Sequence, residues 1–217
     1  MTNKDQRDRL YWEAKHPRAL QMYQGRPAPN GKAYTMDVRR FVWPEDWTLD
    51  KIVAGGLYDT DPDKAAWNCQ RHVVRSIRYV ADTKIGRSEY WLFPVETIAM
   101  GAGDCEDGAI LMASLIANCV PYEHQWRVRV VAGWVDAGTN AEQGGHAYCV
   151  WCRTSDNQWV ILDWCYVEDS VLPVIDKPLA KDVRMYRDIW FSFNSQWAWS
   201  HVNLDCAGRL HTQRRAA

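Results

Sequence analysis

The sequence contains no run of apolar residues long enough to cross a bilayer, and its first nine residues, Met1 to Arg9, are polar and charged where a secretory leader carries an apolar stretch. Both absences predict a cytoplasmic protein. A basic excess is missing too. Against 27 Asp and Glu stand 26 Lys and Arg, a net charge of −1, which argues against nucleic acid as an obligate partner and gives a membrane surface nothing to attract. There is no small-domain disulfide framework, because seven cysteines form an odd set in 217 residues. That pattern suits a reducing compartment and leaves at least one free thiol. No calcium loop of the EF-hand type occurs.

What is present is ordinary globular material, 47% apolar and 24% charged, enough for one domain with a sizeable core. Thirteen tryptophans are read mostly as packing, with an aromatic-walled cleft for a peptide or sugar as their functional use. Residues 1–60 read as a wrap, with a polar helix over Lys4 to Lys15 and a loop over Gly25 to Gly31. Asp61-Pro62 caps a helix of about twenty residues bearing Ala66, Cys69, Val73, Ile77 and Val80 at three- and four-residue spacing. Alternation then predicts strands at Arg127 to Val135, Gly145 to Cys152 and Trp159 to Tyr166, with a loop over Asp136 to Gly145. Leu179 to Val202 fits helix and strand equally, and a frayed tail starts at Gly208.

The chemistry centres on Gly101-Ala102-Gly103-Asp104-Cys105-Glu106-Asp107, followed by the apolar run Ile110 to Ala117. Glycines allow a tight turn, Asp104 and Asp107 are spaced as a capping pair, and Cys105 becomes the first residue of a buried helix. Unpaired N–H groups and the positive end of the helix dipole favour a thiolate there, and a thiolate is a nucleophile. It needs a base and an orienting group. His146 opens one predicted strand and Asp163 lies in the next, an apolar one where an unpaired carboxylate is costly. The midpoint of 146 and 163 falls in the turn Arg153 to Gln158, so an antiparallel hairpin brings His146 and Asp163 side by side. A zinc site of His146, Cys149, Cys152 and Cys165 is the chemical rival. Strand geometry disfavours it, since Cys149 and Cys152 point to opposite faces and His146 and Cys152 stand about 20 Å apart.

Phe93 to Thr97, Gly103 to Asp107, Gly145 to Tyr148 and Trp159 to Asp163 together resemble the transglutaminase-like cysteine peptidase superfamily. The resemblance covers roughly residues 61–166. It implies an α+β, papain-like core (about 61–170), with a central helix carrying the cysteine and an antiparallel sheet carrying His and Asp. Residues 1–60 and 171–217 would then shape the cleft or dock a partner in a larger assembly. It implies Cys105 as nucleophile, His146 as general base and acid, and Asp163 as its orienter, acting on a protein or peptide substrate; separately, no cofactor and no metal are expected. One position departs from the papain pattern: the oxyanion-hole glutamine expected six residues before the cysteine is Ala99 here. Gln70 and Trp91 are the candidate side-chain donors, beside the Cys105 backbone N–H. Hydrolysis of amides, transamidation to an amine, and a catalytically silent binding module are the outcomes this resemblance allows.

Overall fold

The computed structural model describes residues 18–27, 32–82, 90–136, 144–166 and 170–204. The Lys4 to Lys15 helix, the tail from Gly208 and all but the ends of the Asp136 to Gly145 loop lie outside them.

Two strands, β1 (Met22–Pro27) and β2 (Ala33–Asp37), form an antiparallel hairpin. The predicted loop at Gly25 is therefore strand as far as Pro27. Helix α1 (Trp47–Ile52) starts at Asp46, whose carboxylate accepts the Thr48 and Leu49 N–H groups at 2.8 and 3.1 Å. Helix α2 (Pro62–Ser76) starts where Asp61-Pro62 predicts, with Asp61 accepting the Asp63 N–H at 2.9 Å. It ends short of the expected length because Ile77 turns extended and Arg78–Tyr79 (β3) pairs in parallel with Ala102–Gly103 (β4). That pairing lays Tyr79 along the glycine turn.

Between them Pro94–Met100 is a helix, α3, with proline at its first turn and the Phe93 N–H donating to Glu96 at 2.7 Å. Gly101 ends it at φ 58°, a left-handed conformation that glycine adopts without a Cβ clash. After β4 comes α4, Cys105–Cys119, in which every residue from Glu106 to Ala117 is buried. Asp107 starts it by accepting the Asp104 N–H at 3.2 Å and the Leu92 N–H at 2.7 Å. Truncating Leu111, Met112, Leu115 or Ile116, all fully buried, would cost about 2–5 kcal/mol each.

The sheet is antiparallel and five-stranded. Strands β5 (Val128–Val135), β6 (Gly144–Cys152), β7 (Trp159–Leu162), β8 (Tyr186–Phe193) and β9 (Ala198–Leu204) lie in the order β7-β6-β5-β8-β9. The ambiguous stretch after Leu179 opens with a single 3-10 turn at Ala180–Asp182 and is strand from Tyr186: Ile189 and Phe191 pair with Gly133 and Ala132 on β5. One sheet face, with Val128, Val130, Cys149, Trp151 and Leu162, packs on α4. The other, with Val131, Val135, Tyr148, Val150 and Ile161, is covered by Trp126 and Ala180. Burial on both faces explains why β6 and β7 are apolar at nearly every position. No helix among the described residues is long and apolar enough to cross a membrane.

Candidate active site

Hairpin register decides where His146 and Asp163 meet. In the β6–β7 pair Cys149 lies opposite Leu162 and Trp151 opposite Val160. Continuing that ladder places Asp163, the residue just after β7, level with Tyr148, two positions along from His146. The side chains close the diagonal: His146 Nε2 lies 2.7 Å from Asp163 Oδ2, with the two side chains 2% and 1% exposed. A carboxylate at Nε2 assigns the proton to that nitrogen and leaves Nδ1 as the basic atom. The imidazole is held between Tyr148 and Tyr166, whose ring centroids are 5.9 and 4.7 Å away.

Asp163 is fully committed. Its Oδ1 accepts backbone N–H groups from Trp164, Cys165 and Tyr166 at 2.7, 3.1 and 3.4 Å. Its Oδ2 accepts the Tyr186 hydroxyl at 2.7 Å as well as His146. Burial alone would push this carboxyl up, yet the hydrogen bond and charge of His146, then Tyr186 and the Cys165 N–H, hold it below its ordinary value. Gln70, on α2, donates through Nε2 to the Asp163 carbonyl at 2.7 Å. It therefore meets the site through Asp163 and supports the turn after β7. Trp91 lies in an aromatic stack with Tyr23 and Phe193, at centroid distances of 4.8 and 5.8 Å.

Cys105 sits at the first residue of α4, as expected. The Ala147 backbone N–H, next in the chain to His146, favours the Cys105 thiolate. The Cys105 carbonyl accepts the Trp164 indole N–H at 3.0 Å, which ties the start of α4 to the turn after Asp163. That contact requires Gly108, because a Cβ there would stand 2.1 Å from the Trp164 ring.

The electrostatics of the thiol differ from the expectation of a helix start. Burial pushes the Cys105 thiol well up, and the Glu106 carboxylate pushes it further; the Ala147 N–H opposes this, and Asp104 adds to the rise. The thiol donates to Glu106 Oε2 at 3.1 Å. Glu106 is itself raised, by burial and by the charge and hydrogen bond of Asp104. Burial pushes Asp107 up to about 7 against the Leu92 and Asp104 N–H groups. Burial, with the Glu106 and Asp104 carboxylates beside it, outweighs the helix dipole at this thiol.

Among the described residues two groups gather ligand-type atoms within 4.8 Å: His146, Asp163 and Cys165, and Asp82, Asp104 and Glu106. The first is the hydrogen-bonded pair plus a neighbouring thiol. The second is an oxygen-only set, the donor type of calcium and magnesium. The four-residue zinc rival is not gathered, since the Cys149 thiol donates to the Ala109 carbonyl at 3.1 Å on the α4 side, while Cys152 lies in the cluster on the opposite face.

Tyr186 and Gln70 escaped the role they hold here when only sequence was available. Tyr186 lies in the stretch whose secondary structure was ambiguous, and Gln70 faces Asp163 only because α2 packs beside α4 and the β7 end.

Helix α4 on a five-stranded antiparallel sheet, with a buried His–carboxylate pair at the sheet end, defines an α+β protein. No family model and no curated protein matches the sequence. Among solved structures the chain is similar to LapG of Legionella pneumophila, at 23% identity over 74% of this chain and 86% of that one, with a TM-score of 0.45. It is also similar to the calcium-bound form of the same protein, at 21% identity over 78% and 92% of the two chains, with a TM-score of 0.46.

Proposed function

We propose that the chain is a thiol-dependent acyl-transfer enzyme of the transglutaminase-like kind, a cysteine peptidase or amidase acting on a protein or peptide. The observation that carries this reading is the buried 2.7 Å contact of His146 with Asp163, His146 being next in the chain to the Ala147 N–H that favours the Cys105 thiolate.

In the proposed cycle His146 Nδ1 takes the proton from Cys105, and the resulting sulfur anion attacks the carbonyl carbon of the substrate amide. The Cys105 backbone N–H, at the first residue of α4, stabilises the oxyanion. As the carbon–nitrogen bond breaks, His146 returns its proton to the leaving amine, leaving a thioester on Cys105. Water, deprotonated by His146, then cleaves the thioester to a carboxylate, and the proton goes back to sulfur. An amine in place of water would give transamidation. Hydrolysis is preferred because no feature among the described residues provides an amine site.

Asp104 and Glu106 make the thiolate costly, so this reading also assigns a role to their surroundings. The oxygen-only set of Asp82, Asp104 and Glu106 would hold a hard divalent cation such as calcium, whose charge would favour the thiolate beside it. The test is labelling with a thiol-directed activity probe followed by peptide-library cleavage. Wild-type protein is expected to label and cleave, and the Cys105→Ser variant to do neither. A folded wild-type protein inert in both assays, with and without calcium, would support the silent binding module instead.

A further inference from the structure

Far from Cys105, two other thiols meet in the core. Cys69 lies in α2 and Cys119 is the last residue of α4, both buried, with their sulfurs 3.5 Å apart. Sulfurs in contact require converging Cβ vectors, and convergence is what separates bridgeable cysteines from unbridgeable ones. A bond needs a further approach of about 1.5 Å. The third thiol nearby does not compete, because Cys149 is turned to the Ala109 carbonyl at 3.1 Å. Cys105 is out of reach at the other end of α4, fourteen residues or about 21 Å along the helix axis.

We propose that Cys69 and Cys119 form a structural disulfide when the chain folds in a thiol-oxidising compartment, a covalent staple between α2 and the helix that carries Cys105. The exchange balances: two thiols and one external disulfide, of the glutathione type or on a thiol oxidoreductase, become the Cys69–Cys119 bond and two released thiols. The electrons lost by the pair reduce the external sulfur–sulfur bond, and its two protons go with them. Both sulfurs are buried in the folded protein, so the exchange takes place during folding. The closed loop contains β3, α3, the glycine turn and all of α4, so the bond removes much freedom from the unfolded chain. It also anchors Gln70, the neighbour of Cys69 that holds the Asp163 carbonyl. An odd cysteine set is then one bridge plus free thiols, a pattern that an oxidising compartment permits.

The test folds the full chain in a glutathione redox mixture, alkylates remaining thiols in denaturant, and maps peptides without reduction after trypsin and an Asp/Glu-directed protease. The tryptic peptide 65–71 is expected to be linked to the fragment holding Cys119, with Cys105 alkylated. Reduction should lower Tm by about 5–10 °C, and the Cys69→Val/Cys119→Val protein should lose that difference. Alkylated Cys69 and Cys119 in the oxidised wild type, a bond from either to any other cysteine, or a bond without a Tm effect would overturn the proposal. None of these outcomes depends on whether Cys105 is catalytic.

Discussion

His146 and Asp163 are 2.7 Å apart, and neither side chain reaches solvent by more than 2%. A pair so enclosed is not a surface ion pair of negligible worth. Its geometry fixes one tautomer of the imidazole and leaves Nδ1 as its base. Asp163→Asn should therefore leave a folded protein whose acyl transfer is reduced about 10³- to 10⁴-fold, the scale seen when a triad imidazole is held in the wrong tautomer. Single-turnover kinetics on an amide substrate would measure it.

Acid stability tests the same carboxylate. Its folded value lies below its ordinary one, so the folded state binds fewer protons than the unfolded state in the acidic range. The stability this contributes is fully present above about pH 4 and is lost as pH falls through the depressed folded value. Urea unfolding of wild type between pH 6 and 3 should show the loss, and Asp163→Asn should show a shallower dependence.

Tyr186 shares Oδ2 of Asp163 with His146. Tyr186→Phe keeps the ring that packs 4.6 Å from Tyr148 and removes one hydrogen bond to a charged group, worth about 1.5–3 kcal/mol. The carboxylate remains pinned by three backbone N–H groups, so activity should fall by roughly ten-fold at most. The acid limb of the stability curve should move to higher pH, which urea titrations of the two proteins would resolve.

Gly108 lets α4 lie against Trp164. Gly108→Ala would force the indole away from the Cys105 carbonyl, at a cost of about 1–3 kcal/mol in packing strain. Both Tm and the Cys105 labelling rate should fall. Gly144→Ala, where an added Cβ meets nothing within 4 Å, is the control expected to change neither by much.

A cation at Asp82, Asp104 and Glu106 would bind the folded state only. Calcium at 100 times its dissociation constant should then stabilise by about 2.7 kcal/mol, seen as a Tm rise that a chelator reverses and that Asp82→Asn abolishes.

Much of this site was legible in the sequence because its signals are local. The capping pair Asp104 and Asp107, the glycine turn and the apolar run fix α4, and hairpin symmetry about Arg153 to Gln158 brings His146 to Asp163. What was not legible depends on packing between distant segments. Helix α2 stops at Ser76 because β3 pairs with β4, a nonlocal choice that no helical period reveals. The stretch from Tyr186 becomes strand because β5 offers it an edge. The raised thiol of Cys105 comes first from its burial against the sheet and then from its neighbours Glu106 and Asp104; the burial is tertiary, and the sequence alone showed only a favourable helix start.

The most direct measurement is the rate of iodoacetamide modification of each cysteine in the native protein at pH 6 to 7, read by mass spectrometry with saturating calcium and with chelator. Cys105 is expected to react first in the calcium-loaded protein, about ten-fold or more ahead of every other thiol, and to lose that advantage in His146→Ala. A Cys105 that reacts no faster than the buried thiols in either condition, or equally fast without His146, would contradict the account.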